Sequence, residues 1–392
     1  MSDVTTAAGF VSLADRAVAT GDMTTAARFL FDATRCPDAD IDTWLKCAAV
    51  RRAIGDVAEA RAAIQGALRL DPLHFLALMM QASLAEGGGD PEAGEYYGRA
   101  LAQRPEGALP HHIDRQVKHA EAVYRRYQDS KKEDLLGAVS ALELEPDEQS
   151  RIARFCTNTL RITRQYVSEP TDYCFPGLPT REFYDAIDAP WLRTLEDATD
   201  AIADDFARVI ASERVELVPY VQYPDGAPLR QWEALNHSPD WSAIHLLRNG
   251  ARVEVNARHC EATLTVLKRL PQPAIDGVSP NAFFSLLGPG AYIPPHHGVA
   301  NTRLICHLPL VVPEGCWFRV GAERREWQRG KAFMFDDTIE HEARNESDKL
   351  RVVFICDVWH PALTSRERAA VAALVAERER QNGNDRVGGG SG

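Results

Sequence analysis

The sequence predicts an α+β chain, with an all-α array of helical repeats at the N-terminus and a domain of short β-strands with flanking helices after it. Three observations carry this. A Gly-Asp pair recurs at a 34-residue spacing, as Gly21-Asp22, Gly55-Asp56 and Gly89-Asp90. From Phe284 to Pro361 short runs of alternating polar and apolar residues are separated by Gly, Pro and Asn turns, the pattern of strands rather than helices. At 392 residues the chain also exceeds one typical core, so two domains are the prior.

The repeat extends beyond the Gly-Asp pairs. Ala26, Ala60 and Gly94 recur in phase, as do Ala33, Ala67 and Leu101, and Phe10, Trp44 and Leu78 supply a large residue in each unit. This period, with small residues where two helices meet, resembles tetratricopeptide repeats. It places a repeat domain at 1–108. Residues 109–170 read as a helical linker or cap, with a stop and restart at Pro146-Asp147-Glu148. The Pro/Gly-rich stretch 172–179 (DYCFPGLP) marks the boundary to a second domain over 171–364. Within it, Trp191 to Arg214 has the pattern of one amphipathic helix, and Asn249-Gly250 is a hairpin-turn signal. Residues 365–392 give a last helix, Ser365 to Arg380, and a tail whose VGGGSG ending reads as a linker scar or frayed end.

Strand parity brings polar residues together. Between Thr302 and Leu310, Arg303, Ile305 and His307 point one way while Leu304, Cys306, Leu308 and Leu310 point the other. Arg351 interrupts an otherwise apolar run from Leu350 to Val358, and an arginine there needs an anion. His296, His307 and His341 complete the cluster. Neutral imidazoles with open positions suit non-haem Fe(II), which is normally held by two His and one carboxylate. The position two after His296 is Gly298, not an acid. His297 is given no ligand role, because adjacent side chains at a turn seldom reach one ion. Asp336 and Asp337, five and four residues before His341, are open to two readings, the missing carboxylate ligand or structural hydrogen-bonding acids, and Trp359 and His360 read as packing.

The succession His-x-Gly, Arg-Leu-x-x-His-Leu, Phe-Asp-Asp-x-x-x-His-Glu and Arg-x-x-Phe-x-x-Asp-Val-Trp-His-Pro resembles the aspartyl/asparaginyl β-hydroxylase family. That resemblance covers about residues 170 to 363. It implies a double-stranded β-helix (jelly-roll, cupin-like) oxygenase domain that uses Fe(II), 2-oxoglutarate and O2, with two His ligands and water where the acid would be. His296 and His341 would then hold iron and carry catalysis. Ser285 and Arg351 would bind the distal carboxylate of 2-oxoglutarate, His307 would sit at its other carboxylate, and Arg303 would face the substrate. The implied reaction hydroxylates a C–H of an amino-acid side chain, free or in a peptide or protein docked on the repeats. One departure is Ile305, which stands where animal members have a second arginine and so removes a contact to the substrate carboxylate or part of the cosubstrate. Other readings are a lipid acyl-chain hydroxylase of the same family, or a non-catalytic repeat scaffold whose barrel binds a ligand.

Composition sets outer bounds. A hydrophobic content of 45% with 26% charged residues is that of an ordinary globular protein. The net charge of −12, without a basic run, argues against nucleic acid as a partner. No apolar stretch reaches the ~18 residues of a membrane span, and residues 1–20 lack a secretory h-region. The eight cysteines show no paired metal spacing and read as free thiols. A cytoplasmic protein without membrane insertion is expected.

Overall fold

The computed structural model describes residues 6–388 apart from residue 225, so the end of the VGGGSG tail lies outside the described residues. The chain divides into two compact units, Met1–Thr163 and Arg164–Gly392. The division falls seven residues before the expected start at 171, since 171 − 164 = 7. The reason is pairing: Glu169 N donates to the Thr338 carbonyl at 2.7 Å, and the Ser168 and Thr338 hydroxyls bond at 2.7 Å.

The first unit is helical: α1 (Ala7–Ala19), α2 (Met23–Thr34), α3 (Ile41–Ala53), α4 (Val57–Leu70), α5 (Phe75–Gly87), α6 (Ala93–Leu101), α7 (His111–Gly137) and α8 (Pro146–Thr159). The Gly-Asp period has a physical cause. Gly21, Gly55 and Gly89 have φ of +80°, +81° and +70°, the left-handed conformation that ends a helix and that only glycine adopts freely. Asp22 and Asp56 then cap α2 and α4 by accepting from Thr25 N and Glu59 N. Asp90 accepts instead from Glu92 N. The small in-phase residues Ala26, Ala60 and Gly94 are buried, as the close approach of paired helices requires. Pro146 opens α8, with a capping box between Glu145 and Glu148.

The second unit contains β1 (Phe183–Tyr184), α9 (Leu192–Asp197), α10 (Thr199–Ile210), β2 (Leu217–Pro219), β3 (Trp241–Arg248), β4 (Ala251–Arg252), α11 (Glu254–Ala257), α12 (Glu261–Leu267), β5 (Ala282–Leu287), β6 (Tyr292–His296), β7 (Arg303–Val311), β8 (Cys316–Val320), β9 (Glu323–Glu326), β10 (Phe333–Phe335), β11 (His341–Asn345), β12 (Arg351–Trp359) and α13 (Ser365–Gly388). The expected helix Trp191 to Arg214 is two helices, α9 and α10, broken at Ala198. Thr199 donates its hydroxyl back to the Glu196 carbonyl there, and the turn lets Leu192, Leu195, Ile202 and Val209 all reach the core. The Asn249-Gly250 turn joins β3 and β4, and α13 runs past the expected end at Arg380.

Strands pair antiparallel in two sheets, one ordered β1-β10-β7-β12-β5-β3-β2 with β4 beside β3, the other β6-β11-β8-β9. One face of the larger sheet packs Leu304, Cys306, Leu308, Phe354 and Cys356 against α9 to α12. Its other face packs Trp241, Leu287, Phe335 and Val353 against Ile293, Phe318, Val320 and Ala343 of the smaller sheet. The alternation of β7 therefore separates a helix-facing apolar row from Arg303, Ile305 and His307, which line the space between the sheets.

Candidate active site

A cavity of about 480 Å³ lies between the two sheets of the second unit. Its floor follows from strand register. One cross-strand row runs His245, Phe283, Ile355 and His307 over β3, β5, β12 and β7; the next holds Asp357 opposite Ile305, and the last Arg303 opposite Trp359. In the other direction lie Ser285 and then Arg351. Every sequence-predicted site residue (Ser285, His296, Arg303, His307, His341 and Arg351) lines this one cavity.

His296 ends β6 and His341 begins β11, directly paired across the strands, with ring centroids 4.0 Å apart. Each Nδ1 lies on a backbone carbonyl two residues earlier: Pro294 O at 2.8 Å and Ile339 O at 3.1 Å. With the Nδ1 hydrogens donated there, both Nε2 lone pairs are free, the tautomer a metal needs. Burial drives both pKa values down, His296 to about 3 with His341 as the next cause, and His341 to about 4. Both rings are therefore neutral at ordinary pH. His297 turns to Glu169, with Nε2 3.5 Å from its carboxylate. Among the described residues no group of three or more His, Cys, Asp or Glu is arranged around a metal position, so an ion here would rest on two imidazoles.

Gly298 answers why no acid follows His296. A Cβ at 298 would lie 2.1 Å from Asp337 Oδ2, so the Asp337 carboxylate occupies the space a side chain there would take. The structural reading holds for Asp336 alone, which accepts from Thr338 N and its hydroxyl. Asp337 faces the cavity and pairs with Arg303 at 3.2 Å. Burial raises its pKa against the pull of Arg303.

Arg351 is 2% exposed and has no carboxylate within ion-pair distance among the described residues. Its Nη1 donates to the Ser285 carbonyl (3.3 Å) and hydroxyl (3.2 Å), its Nε has no partner, and its guanidinium lies 4.9 Å from the Trp327 ring centre. Burial lowers its pKa to about 10. A cation buried without counter-charge is costly and marks an anion site. Beside it, Ser285 Oγ also accepts from Trp241 Nε1 at 3.2 Å. His307 Nδ1 accepts from Trp327 Nε1 at 3.3 Å, which puts the His307 hydrogen on Nε2; burial and then Arg351 keep the ring neutral. The side chains here fit a dicarboxylate next to a two-histidine metal.

Sequence reasoning gave no role to the wall of Tyr220, Trp232, Trp241 and His245. Trp232 meets His296 edge-on at 5.0 Å, and Tyr220 stacks on Trp241 at 4.0 Å. The available signal was the parity of Trp241 and His245 on one strand.

Residues 196–361 match the family model described as Aspartyl/Asparaginyl beta-hydroxylase. Over those residues the second unit is similar to that family. The chain is 33% identical over 187 residues to human "Aspartyl/asparaginyl beta-hydroxylase" (47% of this chain, 24% of that one). It is 31% identical over 219 residues to human "Aspartate beta-hydroxylase domain-containing protein 2" (55% and 57%). It is 32% identical over 181 residues to "Ornithine lipid ester-linked acyl 2-hydroxylase" of Rhizobium tropici (45% and 60%). The match thus spans from a quarter to three-fifths of these relatives. Of solved structures, "Arabidopsis OM64 TPR domain" aligns with 31% of this chain and 95% of its own, at 17% identity and a TM-score of 0.27. The tetratricopeptide-like character of the first unit rests on its 34-residue period and its helix pairs.

Proposed function

We propose that the second unit is an Fe(II)- and 2-oxoglutarate-dependent dioxygenase on a double-stranded β-helix that hydroxylates a C–H of an amino-acid side chain, free or within a peptide. The observation that carries this is the pair of neutral imidazoles with free Nε2 atoms in the same cavity as a buried, uncompensated arginine. His296 and His341 would hold the metal. Arg351 and Ser285 would bind the distal carboxylate of the cosubstrate, and His307 would donate from Nε2 to the other. Arg303, held by Asp337, faces the substrate. The bound iron, with 2-oxoglutarate and O2, supplies oxidative decarboxylation to succinate and CO2 coupled to insertion of one oxygen into an unactivated C–H. The chain contributes placement and exclusion of water: Trp232, Trp241 and Phe318 pack beside the imidazoles.

No disulfide joins any of the eight cysteines, which supports a cytoplasmic location. The repeats would present a peptide. A chain beginning at Arg164 is then expected to act on a free amino acid but to lose a docked peptide. Hydroxylation of a lipid acyl chain is a second reading, favoured by the Rhizobium tropici relative; among the described residues no helix is long and apolar enough to cross a membrane. The test is Fe(II)-dependent succinate formation, which His296→Ala and His341→Ala abolish and His297→Ala largely retains. Equal loss in all three would sink the assignment.

A further inference from the structure

Next to the active-site cavity is a second one of about 250 Å³, walled by Ile275, Trp359 and, from α13, Val375. Arg303 and Asp357 line both cavities. Pockets that hold a whole drug-sized ligand run from roughly 300 to 1,000 Å³. A space of this size takes part of a molecule, one arm of something whose reacting part lies in the first cavity.

Two polar groups here are unsatisfied. Ser279 is 4% exposed and its hydroxyl has no partner, and Arg303 Nη1 likewise has none. Buried donors left open call for an acceptor. The charge balance decides its kind. Arg303 is already paired with Asp337 at 3.2 Å, and Asp357 is close enough to bear on it as well, so two carboxylates surround one guanidinium. No net positive charge remains for an anion.

We propose that the second cavity is a substrate subsite for a short apolar group attached to an uncharged carbonyl, whose oxygen accepts from Ser279 and Arg303. This rests on the hydroxylase reading of the first cavity, and it places a neutral carbonyl rather than a carboxylate next to Arg303. A long acyl chain exceeds the space.

Ligand-detected NMR on the full-length protein saturated with Zn(II) and 2-oxoglutarate, which fill the Arg351 anion site, tests this with isovaleramide, acetamide and isovalerate. Isovaleramide is expected to bind, with acetamide and isovalerate weaker by ~10-fold, and Ser279→Ala weakens it by ~5-fold, the scale of one hydrogen bond. Val375→Trp, which fills the cavity, abolishes its binding. In both variants 2-oxoglutarate affinity with Fe(II) stays at the wild-type value, which shows that the second unit has folded. Isovalerate binding as tightly as isovaleramide, no isovaleramide binding to the wild type, or unchanged binding in folded Val375→Trp would overturn the subsite. Failure of the wild type to bind 2-oxoglutarate would instead refute the oxygenase reading and leave the amide result standing.

Discussion

Gly66 and Gly298 are both places where a Cβ would collide, one in each unit, and they make room for different things. At Gly66 the obstacle is the Trp44 ring, 2.2 Å from the absent Cβ; at Gly298 it is the Asp337 carboxylate, at 2.1 Å. The first gap serves packing between helices, and the second admits a charged group beside an imidazole. Burial follows the same division. Among the described residues the first unit buries Thr34 and Thr43 as its polar side chains, whereas the second buries Arg351, His307, His341, Asp336, Asp337, Asp357 and His360. A repeat array stabilised by alanine and aromatic contacts has no need of buried charge. A two-sheet unit that carries this much of it has the burial pattern expected of a ligand site.

The contrast is sharpened most by Arg351→Met. Loss of a charge-assisted pair costs on the order of 2–5 kcal/mol of binding, so 2-oxoglutarate affinity falls steeply in a calorimetric titration. The Tm stays level or rises, because an uncompensated buried charge is gone. A stabilising role for Arg351 predicts the opposite pattern, a lower Tm with intact binding.

His360 gives the next largest effect. Its Nε2 meets the Tyr184 hydroxyl at 3.0 Å and its Nδ1 accepts from Ala362 N at 3.2 Å, so the fold holds it neutral. Burial puts its pKa at about 4 against 6.5 in the free side chain. The unfolded chain therefore takes up the proton first as pH falls. The stability that neutral His360 contributes, roughly 3 kcal/mol, is full above pH 6.5 and lost toward pH 4. In His360→Gln, denaturant midpoints measured across that window should depend on pH with one proton fewer.

The glycines themselves provide the smallest effects, and they diverge. Gly66→Ala forces the Trp44 ring to move and costs about 1–3 kcal/mol in unfolding while leaving 2-oxoglutarate binding unchanged. Gly298→Ala meets the buried Asp337 carboxylate at Oδ2 and Cγ, so Asp337 is displaced from Arg303 and substrate turnover drops along with stability. If substrate turnover stayed at the wild-type value in both variants, the difference between the two units would be one of degree.

The period of the first unit was legible because its cause is local: a left-handed glycine followed by an aspartate that accepts a nearby backbone N–H repeats with the helix pair. Strand parity likewise placed Arg303, Ile305 and His307 on one side without knowledge of the partners. The break at Ala198 was not legible, since Trp191 to Arg214 keeps helical periodicity across it and only contact with the sheet shows the turn. Nor was the role of Asp337. Its meeting with Arg303 depends on how residues 34 positions apart are brought together (337 − 303 = 34), and the significance of Gly298 appears only once that carboxylate is in place. The Tyr220, Trp232 and Trp241 wall was hidden for the same reason, being assembled from β3 and the connection between β2 and β3.

On the proposed reading two imidazoles, and no third protein ligand, form a metal site. Anaerobic Fe(II) binding, counted per chain in the wild type and in His296→Ala, His341→Ala, His297→Ala and Asp337→Asn, tests it most directly. One iron per chain is expected in the wild type, His297→Ala and Asp337→Asn, and none in His296→Ala or His341→Ala. Full occupancy in His296→Ala and His341→Ala would contradict it.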